Sequence, residues 1–250
     1  MGQLDSKVII ITGASRGIGR ALALGFAKEG AIIVGAARTL KPATGSEPGS
    51  LVETVAEIEK LGGTALAVRA DVTGEPDAKR VADRAVRRFG RIDILVNNAG
   101  LISREDILKV DMKWWDQVFR VNVRGPVVMS RAVLPHMMER KQGHIINISS
   151  GAAYRVRPGE LAYAGSKGAV ERITLNMAEF GKPYGIAVNA LRPDHLLTGM
   201  SSGVPRPAGY HGLESPEVLL PAAVWLAKQT VTTFTGQSVG RLDFGKTWGI

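Results

Sequence analysis

The chain has 250 residues, 45% of them hydrophobic and 22% charged, with no cysteine and a formal net charge of +9. That balance describes a globular chain able to bury a sizeable core, and it excludes a disulfide scaffold, a zinc–thiolate site and thiol chemistry. The 32 Lys and Arg residues are interleaved with 23 Asp and Glu and form only short clusters such as Arg84, Arg87, Arg88 and Arg91, a solvated basic surface that argues against nucleic acid as a partner.

The N-terminal residues, Met1 to Lys7, reach a strand-like run almost at once, which leaves no room for a signal peptide. No apolar run approaches the roughly 18 residues of a membrane span. A soluble, cytoplasmic protein with no membrane partner is the expectation.

Val8 to Ile11 is a short β-branched run that reads as a strand. A glycine-rich turn follows, Thr12-Gly13-Ala14-Ser15-Arg16-Gly17-Ile18-Gly19, and Arg20 to Lys28 reads as a helix stopped by Gly30. Ala31 to Ala37 is the second strand, completing a βαβ unit of about 30 residues. Residues 39–50, rich in Pro, Gly and Ser, form an inserted loop. Leu51 to Leu61 is an amphipathic helix, Ala65 to Ala70 a strand, Pro76 to Phe89 a helix with proline in its first turn, and Ile92 to Val96 a strand. Met112 to Met138 is mostly helical, with a disturbance near Gly125-Pro126. Ile145 to Ile148, Ile186 to Leu191 and Ser238 to Leu242 are strands, separated by helices over Tyr163 to Phe180 and Ser215 to Ala227. Residues 194–212, with little regular pattern, are expected to form a lid.

Strands and helices thus alternate along the whole chain, and the strands lack polar alternation. This predicts a single α/β domain, a three-layer Rossmann-like fold with a doubly wound, parallel, seven-stranded sheet. In such a sheet the ligand lies outside the carboxyl ends of the strands. The chemically suggestive residues all fall at those ends: Thr12 to Gly19, Asn97 to Gly100, Ser149-Ser150 and Arg192-Pro193.

The spacing of Gly13, Gly17 and Gly19 is G-x-x-x-G-x-G, not the usual dinucleotide fingerprint. The physics is the same: glycine lets backbone approach a pyrophosphate, and the helix N-terminus faces the anion. The end of the second strand reads Ala36-Ala37-Arg38, where an acid would select NAD(H) by bonding a ribose hydroxyl. Arg38 instead suits a 2′-phosphate, with Arg16 and Lys41 as added charge, so the cofactor expected is NADP(H). Asp71-Val72 stands where it could meet the adenine or simply cap a turn.

Tyr163 and Lys167 are four apart, on one face of one helix. A free phenol titrates near 10. A lysine ammonium about 5 Å away contributes roughly 3 kcal/mol at an effective dielectric near 20, which would bring the phenol toward roughly 7–8 before burial is counted against it. Ser150, thirteen residues earlier, could donate a hydrogen bond to a substrate carbonyl oxygen or cap the strand end. Asn122 could hold a water or backbone group that links Lys167 to solvent, or mark a helix kink. The four histidines lack the context of a hydrolase triad.

With these motifs in hand, the chain resembles the short-chain dehydrogenase/reductase family, in its single-domain branch of about this length. The resemblance covers essentially the whole chain and rests on the glycine turn from Thr12 to Gly19, Asp71-Val72, Asn97-Asn98-Ala99-Gly100, Asn122, Ser150, Tyr163-Ala164-Gly165-Ser166-Lys167, and Arg192-Pro193 with Thr198. It implies a catalytic tetrad of Asn122, Ser150, Tyr163 and Lys167. It also implies that Asn98 shapes the cofactor site, that Lys167 holds the nicotinamide ribose, and that Thr198 and the backbone near residue 196 meet the carboxamide. Family members are commonly dimers or tetramers, so a homodimer or homotetramer is expected.

Two features depart from the pattern. Asp194 stands where glycine usually follows Pro193, so that a carboxylate near the nicotinamide could narrow the pocket or reorient the lid, and the 39–50 loop is long. The substrate pocket is expected to include Ala152, Leu161, Asp194 and His195, with Leu101 and Ile102 making it apolar and Arg155 and Arg157 near its rim. The reading is an NADP(H)-dependent oxidoreductase that moves hydride between nicotinamide and a small-molecule ketone, aldehyde or secondary alcohol, with Tyr163 as general acid and base. The alternatives are a non-catalytic NADP-binding sensor on the same fold and an enoyl reductase.

Overall fold

The computed structural model describes residues 2–41, 49–156, 158–194, 196 and 214–250. Seven strands form one sheet: β1 (Val8–Thr12), β2 (Ile32–Ala37), β3 (Thr64–Arg69), β4 (Ile94–Asn97), β5 (Gly143–Ile148), β6 (Ile186–Arg192) and β7 (Ser238–Gly240). Their order is β3-β2-β1-β4-β5-β6-β7, and every neighbouring pair is parallel. The chain runs outward from β1 to β3, then returns to β4 on the other side of β1, so the switch point lies between β1 and β4. This is the predicted doubly wound sheet, in a single domain.

Among the described residues, seven α-helices cover the sheet: α1 (Gly17–Lys28), α2 (Leu51–Lys60), α3 (Glu75–Phe89), α4 (Met112–Phe119), α5 (Gly125–Glu139), α6 (Leu161–Gly181) and α7 (Leu220–Ala227). Successive strand side chains point to opposite faces, so the apolar runs feed two cores. Ile9, Ile11, Ile33 and Ile146 pack with Leu22 and Phe26 of α1, Ile58 of α2 and Leu226 of α7. Val8, Ile10, Val34 and Ile145 pack with Val81 and Ala85 of α3 and Val133 of α5. Among the described residues, no helix is long and apolar enough to cross a membrane.

Three boundaries differ from the sequence reading. The helix expected over 112–138 is broken by a π-helical turn, Arg120–Arg124; the disturbance lies just before Gly125-Pro126, because Pro126 occupies the first turn of α5, where its missing N–H costs nothing. The helix expected from Ser215 begins as a 3-10 turn, Pro216–Leu219. The last strand ends at Gly240, where the chain turns into a second 3-10 segment, Arg241–Asp243. The inserted loop and the lid fall largely outside the described residues, at 42–48 and 197–213.

Polar groups sit in this core in two places. At the amino ends of the central strands, Asp93 is 4% exposed. It accepts from the Val8 N–H at 2.8 Å, from Arg91 Nη2 at 2.6 Å and from Arg140 at 3.3 Å. Burial works to raise its pKa, but the Arg91 hydrogen bonds, the Val8 N–H and the two guanidinium charges prevail and hold it below the usual carboxylate value. In mid-sheet, Asn97 Nδ2 donates to Asn147 Oδ1 at 2.9 Å and to Ser130 Oγ at 3.3 Å, and Asn147 Nδ2 donates to Thr174 Oγ1 at 2.9 Å. This seam joins β4, β5, α5 and α6.

His144, in β5, is 2% exposed and pairs with Asn189 Nδ2 at 2.9 Å. Burial lowers its pKa to about 4, against a smaller opposing pull from a Gln229 backbone hydrogen bond. Between about 6.5 and about 4 the unfolded chain therefore binds a proton that the folded chain refuses, and stability falls as pH falls through that window. The loss should reach about 3 kcal/mol. Urea unfolding at a series of pH values should show it, and His144→Gln should flatten that part of the curve; an unchanged slope in the variant would assign the loss to other groups. Asp93 acts in a separate window, below the ordinary carboxylate pKa, where its stabilisation is lost as it protonates.

Candidate active site

A cavity of about 570 Å³ opens at the carboxyl ends of the strands, beside the switch point. Its floor is the β1–α1 turn. Gly13 has φ +69°, in the left-handed region that glycine adopts without strain. A Cβ on Gly19 would drive into the Gly13 carbonyl and the Asn98 amide, so glycine is needed there for close packing of helix on strand. Asn98 fastens the turn from the neighbouring strand end: its Nδ2 donates to the Thr12 carbonyl at 2.8 Å, and its N–H donates to Thr12 Oγ1 at 2.9 Å. Ala99 N–H reaches the same hydroxyl at 3.0 Å. Thr12 is thus a site residue that sequence reading placed only as the start of a motif.

From this floor the cavity runs in two directions. Toward one end it is lined by Ser15, Arg16, Arg38, Thr39, Asp71 and Val72. Asp71 caps the turn, its Oδ1 accepting from the Thr73 N–H at 2.9 Å and the Thr73 hydroxyl at 2.8 Å, and it also lines the cavity. Burial tends to raise its pKa, but these bonds, with the charges of Arg38 and Arg120, set it below the ordinary value. Toward the other end the lining residues include Gly100, Leu101, Ile102, Trp114, Ser149, Tyr163, Lys167 and Pro193. Ser149 stands among the strand-end residues singled out from the sequence, whereas Trp114 was not predicted and nothing in the sequence near it marks it.

Tyr163 and Lys167 share the cavity wall, the lysine Nζ 5.8 Å from the centre of the phenol ring. The ammonium does not bond the phenol; it donates to the Ile148 carbonyl at 2.7 Å. Ser150 lies close enough to the phenol to draw its pKa down. The expectation of a phenol near neutrality is corrected: burial raises the Tyr163 pKa above its ordinary value, outweighing the opposing pull of Ser150. Burial also lowers Lys167 to about 8, with Glu171 pulling it the other way. In this state Tyr163 is a neutral proton donor across the physiological range.

Ser150 caps the 3-10 turn Gly151–Ala153, accepting from the Ala152 N–H at 3.2 Å. It stands beyond the cavity lining, beside Tyr163. Asn122 lies in the π-helical turn and is 1% exposed. Its Oδ1 accepts from the Leu101 N–H at 2.7 Å, and its Nδ2 donates to the Leu101 carbonyl at 2.8 Å and to Ser166 Oγ at 2.9 Å. It holds backbone, as one sequence alternative had it, and the backbone is that of the loop lining the cavity.

Other expected pocket residues are placed elsewhere. Ala152 and Leu161 do not line the cavity, and Leu161 is exposed. Asp194 adopts φ +58°, which explains why glycine suits this position. Its carboxylate does not narrow the cavity: it pairs with Arg155 at 3.3 Å and accepts from the Leu242 N–H at 3.3 Å. Arg155, expected at the rim, is therefore engaged with Asp194. His195, Thr198 and Arg157 lie outside the described residues.

A parallel sheet with a glycine turn at its switch point, and a tyrosine, a lysine and a serine converging on the adjoining cavity, defines a nicotinamide-dependent oxidoreductase site. A family model described as short chain dehydrogenase matches residues 7–208. The chain is 32% identical over 246 residues to the 3-oxoacyl-[acyl-carrier-protein] reductase FabG of Thermotoga maritima, covering 95% of this chain and 97% of that protein. It is 33% identical over 249 residues to the 2-dehydro-3-deoxy-D-gluconate 5-dehydrogenase of Escherichia coli, covering 94% of each. Among solved structures, one described as an NAD(P) dependent gluconate 5-dehydrogenase from Beutenbergia cavernae, with NADP bound at low occupancy, superposes with a TM-score of 0.83 at 32% identity, covering 95% of this chain and 96% of that one. The chain belongs to the short chain dehydrogenase family, and is an oxidoreductase acting on CH–OH and C=O groups.

Proposed function

We propose that the protein is an NADP(H)-dependent reductase of a ketone or aldehyde, reversible as a secondary alcohol dehydrogenase. The observation that carries the cofactor preference is the end of β2. Arg38 lines the cavity there, after Ala37 and before Thr39, with no carboxylate of its own strand end to bond a ribose hydroxyl. Arg16, at the start of α1, lines the same end.

The cavity fits a dinucleotide: a tight glycine turn as its floor, a helix N-terminus facing it, and a buried Ser149 hydroxyl with no partner on its wall. When bound, the cofactor supplies or accepts hydride at the substrate carbon. The chain's own groups handle the oxygen. Tyr163 donates its phenolic proton to the carbonyl oxygen in reduction and takes it back in oxidation. Ser150, beside the phenol, can donate to the same oxygen as charge develops on it. Lys167, anchored on the Ile148 carbonyl, supplies positive charge beside the phenol. Leu101, Ile102 and Trp114 favour an apolar body on the substrate.

A panel of ketones and aldehydes incubated with NADPH tests the reading; consumption by one substrate class supports it, and none across the panel removes it. Arg38→Ala should raise KM for NADPH by roughly 10- to 100-fold, the worth of one charge-assisted hydrogen bond, and leave KM for NADH unchanged. Equal KM changes for both cofactors would contradict the role given to Arg38.

A further inference from the structure

Glu171 lies one turn beyond Lys167 on α6 and is 8% exposed. Neither of its carboxylate oxygens has a hydrogen-bond partner. Burial without a partner is costly for a carboxylate, by several kcal/mol for the ionised form. The other deeply buried acid, Asp93, is surrounded by donors from three residues. Nothing in the fold explains why Glu171 is buried and left bare.

Its neighbour has the complementary shortage. Lys167 is 6% exposed, and its ammonium makes one hydrogen bond, to the neutral Ile148 carbonyl. Residues four apart on a helix lie about 5–6 Å from Cβ to Cβ, within reach for a through-space interaction. The surrounding charges are committed elsewhere. Arg192, at the end of β6, stacks on Tyr154 at 4.9 Å and donates to Ser238 at 2.7 Å. Arg155 pairs with Asp194. Glu160 and Arg104 act on Tyr163, not on Lys167. From the π-helical turn packed beside α6, the neutral Asn122 bonds Ser166, while Arg120 acts on Asp71 and Arg124 pairs with Glu75. Glu171 is the charged group that acts on Lys167.

We propose that Glu171 is a positioning residue for the reaction: its buried carboxylate keeps the Lys167 side chain in the ammonium form at neutral pH and so maintains the positive charge beside Tyr163. This rests on the reductase reading given above. Burial brings Lys167 down to about 8 even with Glu171 pulling the other way, so loss of the carboxylate would let the lysine shed its proton within the working range.

The test is the titration of Lys167 in the unliganded protein, followed by NMR of 13Cε-labelled lysine, with the Lys167 signal assigned by its absence from Lys167→Met. In Glu171→Gln the midpoint should fall by about one unit or more, the effect of removing an opposite charge at this range. The alkaline limb of kcat/KM should move to lower pH by the same amount. Glu171→Asp keeps the charge one methylene further back, and its midpoint should fall between those of wild type and Glu171→Gln; it also serves if the glutamine variant does not fold. A titration in both variants that overlays wild type overturns the proposal, as does a lowered melting temperature without any shift, which would mark a purely structural role. The titration needs neither substrate nor cofactor, so it stands or falls apart from the reductase assay.

Discussion

Tyr163→Phe should lose turnover by at least 10²- to 10⁴-fold, the usual contribution of one positioned proton donor, with NADPH binding within about twofold of wild type. The phenol ring would remain on the cavity wall and only the hydroxyl would go. That hydroxyl has a proton to give at neutral pH, because burial sets its pKa above the ordinary value. The measurement is kcat on whichever carbonyl the panel identifies, beside cofactor affinity from fluorescence quenching. A variant that keeps more than a tenth of the wild-type kcat would show that water or another group protonates the substrate, and the mechanism would have to be rebuilt without the tyrosine. Weakened cofactor binding with kcat intact would sink it equally, by turning Tyr163 into a binding residue.

Asp93→Ala should destabilise the fold by about 3 kcal/mol, as expected when one partner of a buried ion cluster is removed. The carboxylate ties the start of β1, through Val8 N–H, to Arg91 before β4 and to Arg140 after α5. Its loss strands a buried N–H and leaves two guanidinium groups facing each other. The arginines are partly in water, at 38% and 28% side-chain exposure, and this keeps the cost toward the lower end of the range for buried pairs. For a domain of this size the midpoint of thermal unfolding should drop by roughly 6–12 °C. Asp93→Asn keeps an acceptor for Val8 and should fall by less. A melting temperature within a degree or two of wild type for Asp93→Ala would mean that water replaces the cluster without penalty.

The architecture was legible because β-branched runs and glycine stops carry strong local signals. The parallel sheet followed from strands such as Ile145 to Ile148, which bury both faces and leave no polar alternation. The glycine turn and Arg38 were equally readable as part of the cavity, since Gly13 and Arg38 line it and Gly19 packs beneath it where they stand in sequence. What the sequence could not show was direction. The four-residue spacing of Tyr163 and Lys167 places them on one face, but not the choice of the ammonium for the Ile148 carbonyl. Burial, which the spacing does not show either, reverses the expected shift of the phenol. Asp194 is the same lesson: its identity suggested a charge in the pocket, while its positive φ turns the carboxylate toward Arg155 and Leu242. Trp114 reaches the cavity from a helix almost fifty residues before Tyr163, a proximity that only tertiary packing creates.

The seam of Asn97, Asn147, Ser130 and Thr174 bears on how far Ser150 and Tyr163 can drift apart. Greasy surfaces tolerate slippage, since one methyl contact is worth about as much as the next. An amide or hydroxyl pair demands a fixed angle and length, and leaving it unmade inside a dry interior is expensive. The helix bearing the phenol is thus pegged to the strand that ends at the serine, and neither can ratchet along the other without breaking those pegs. Precision at the reacting oxygen is borrowed from a line of uncharged side chains well below it.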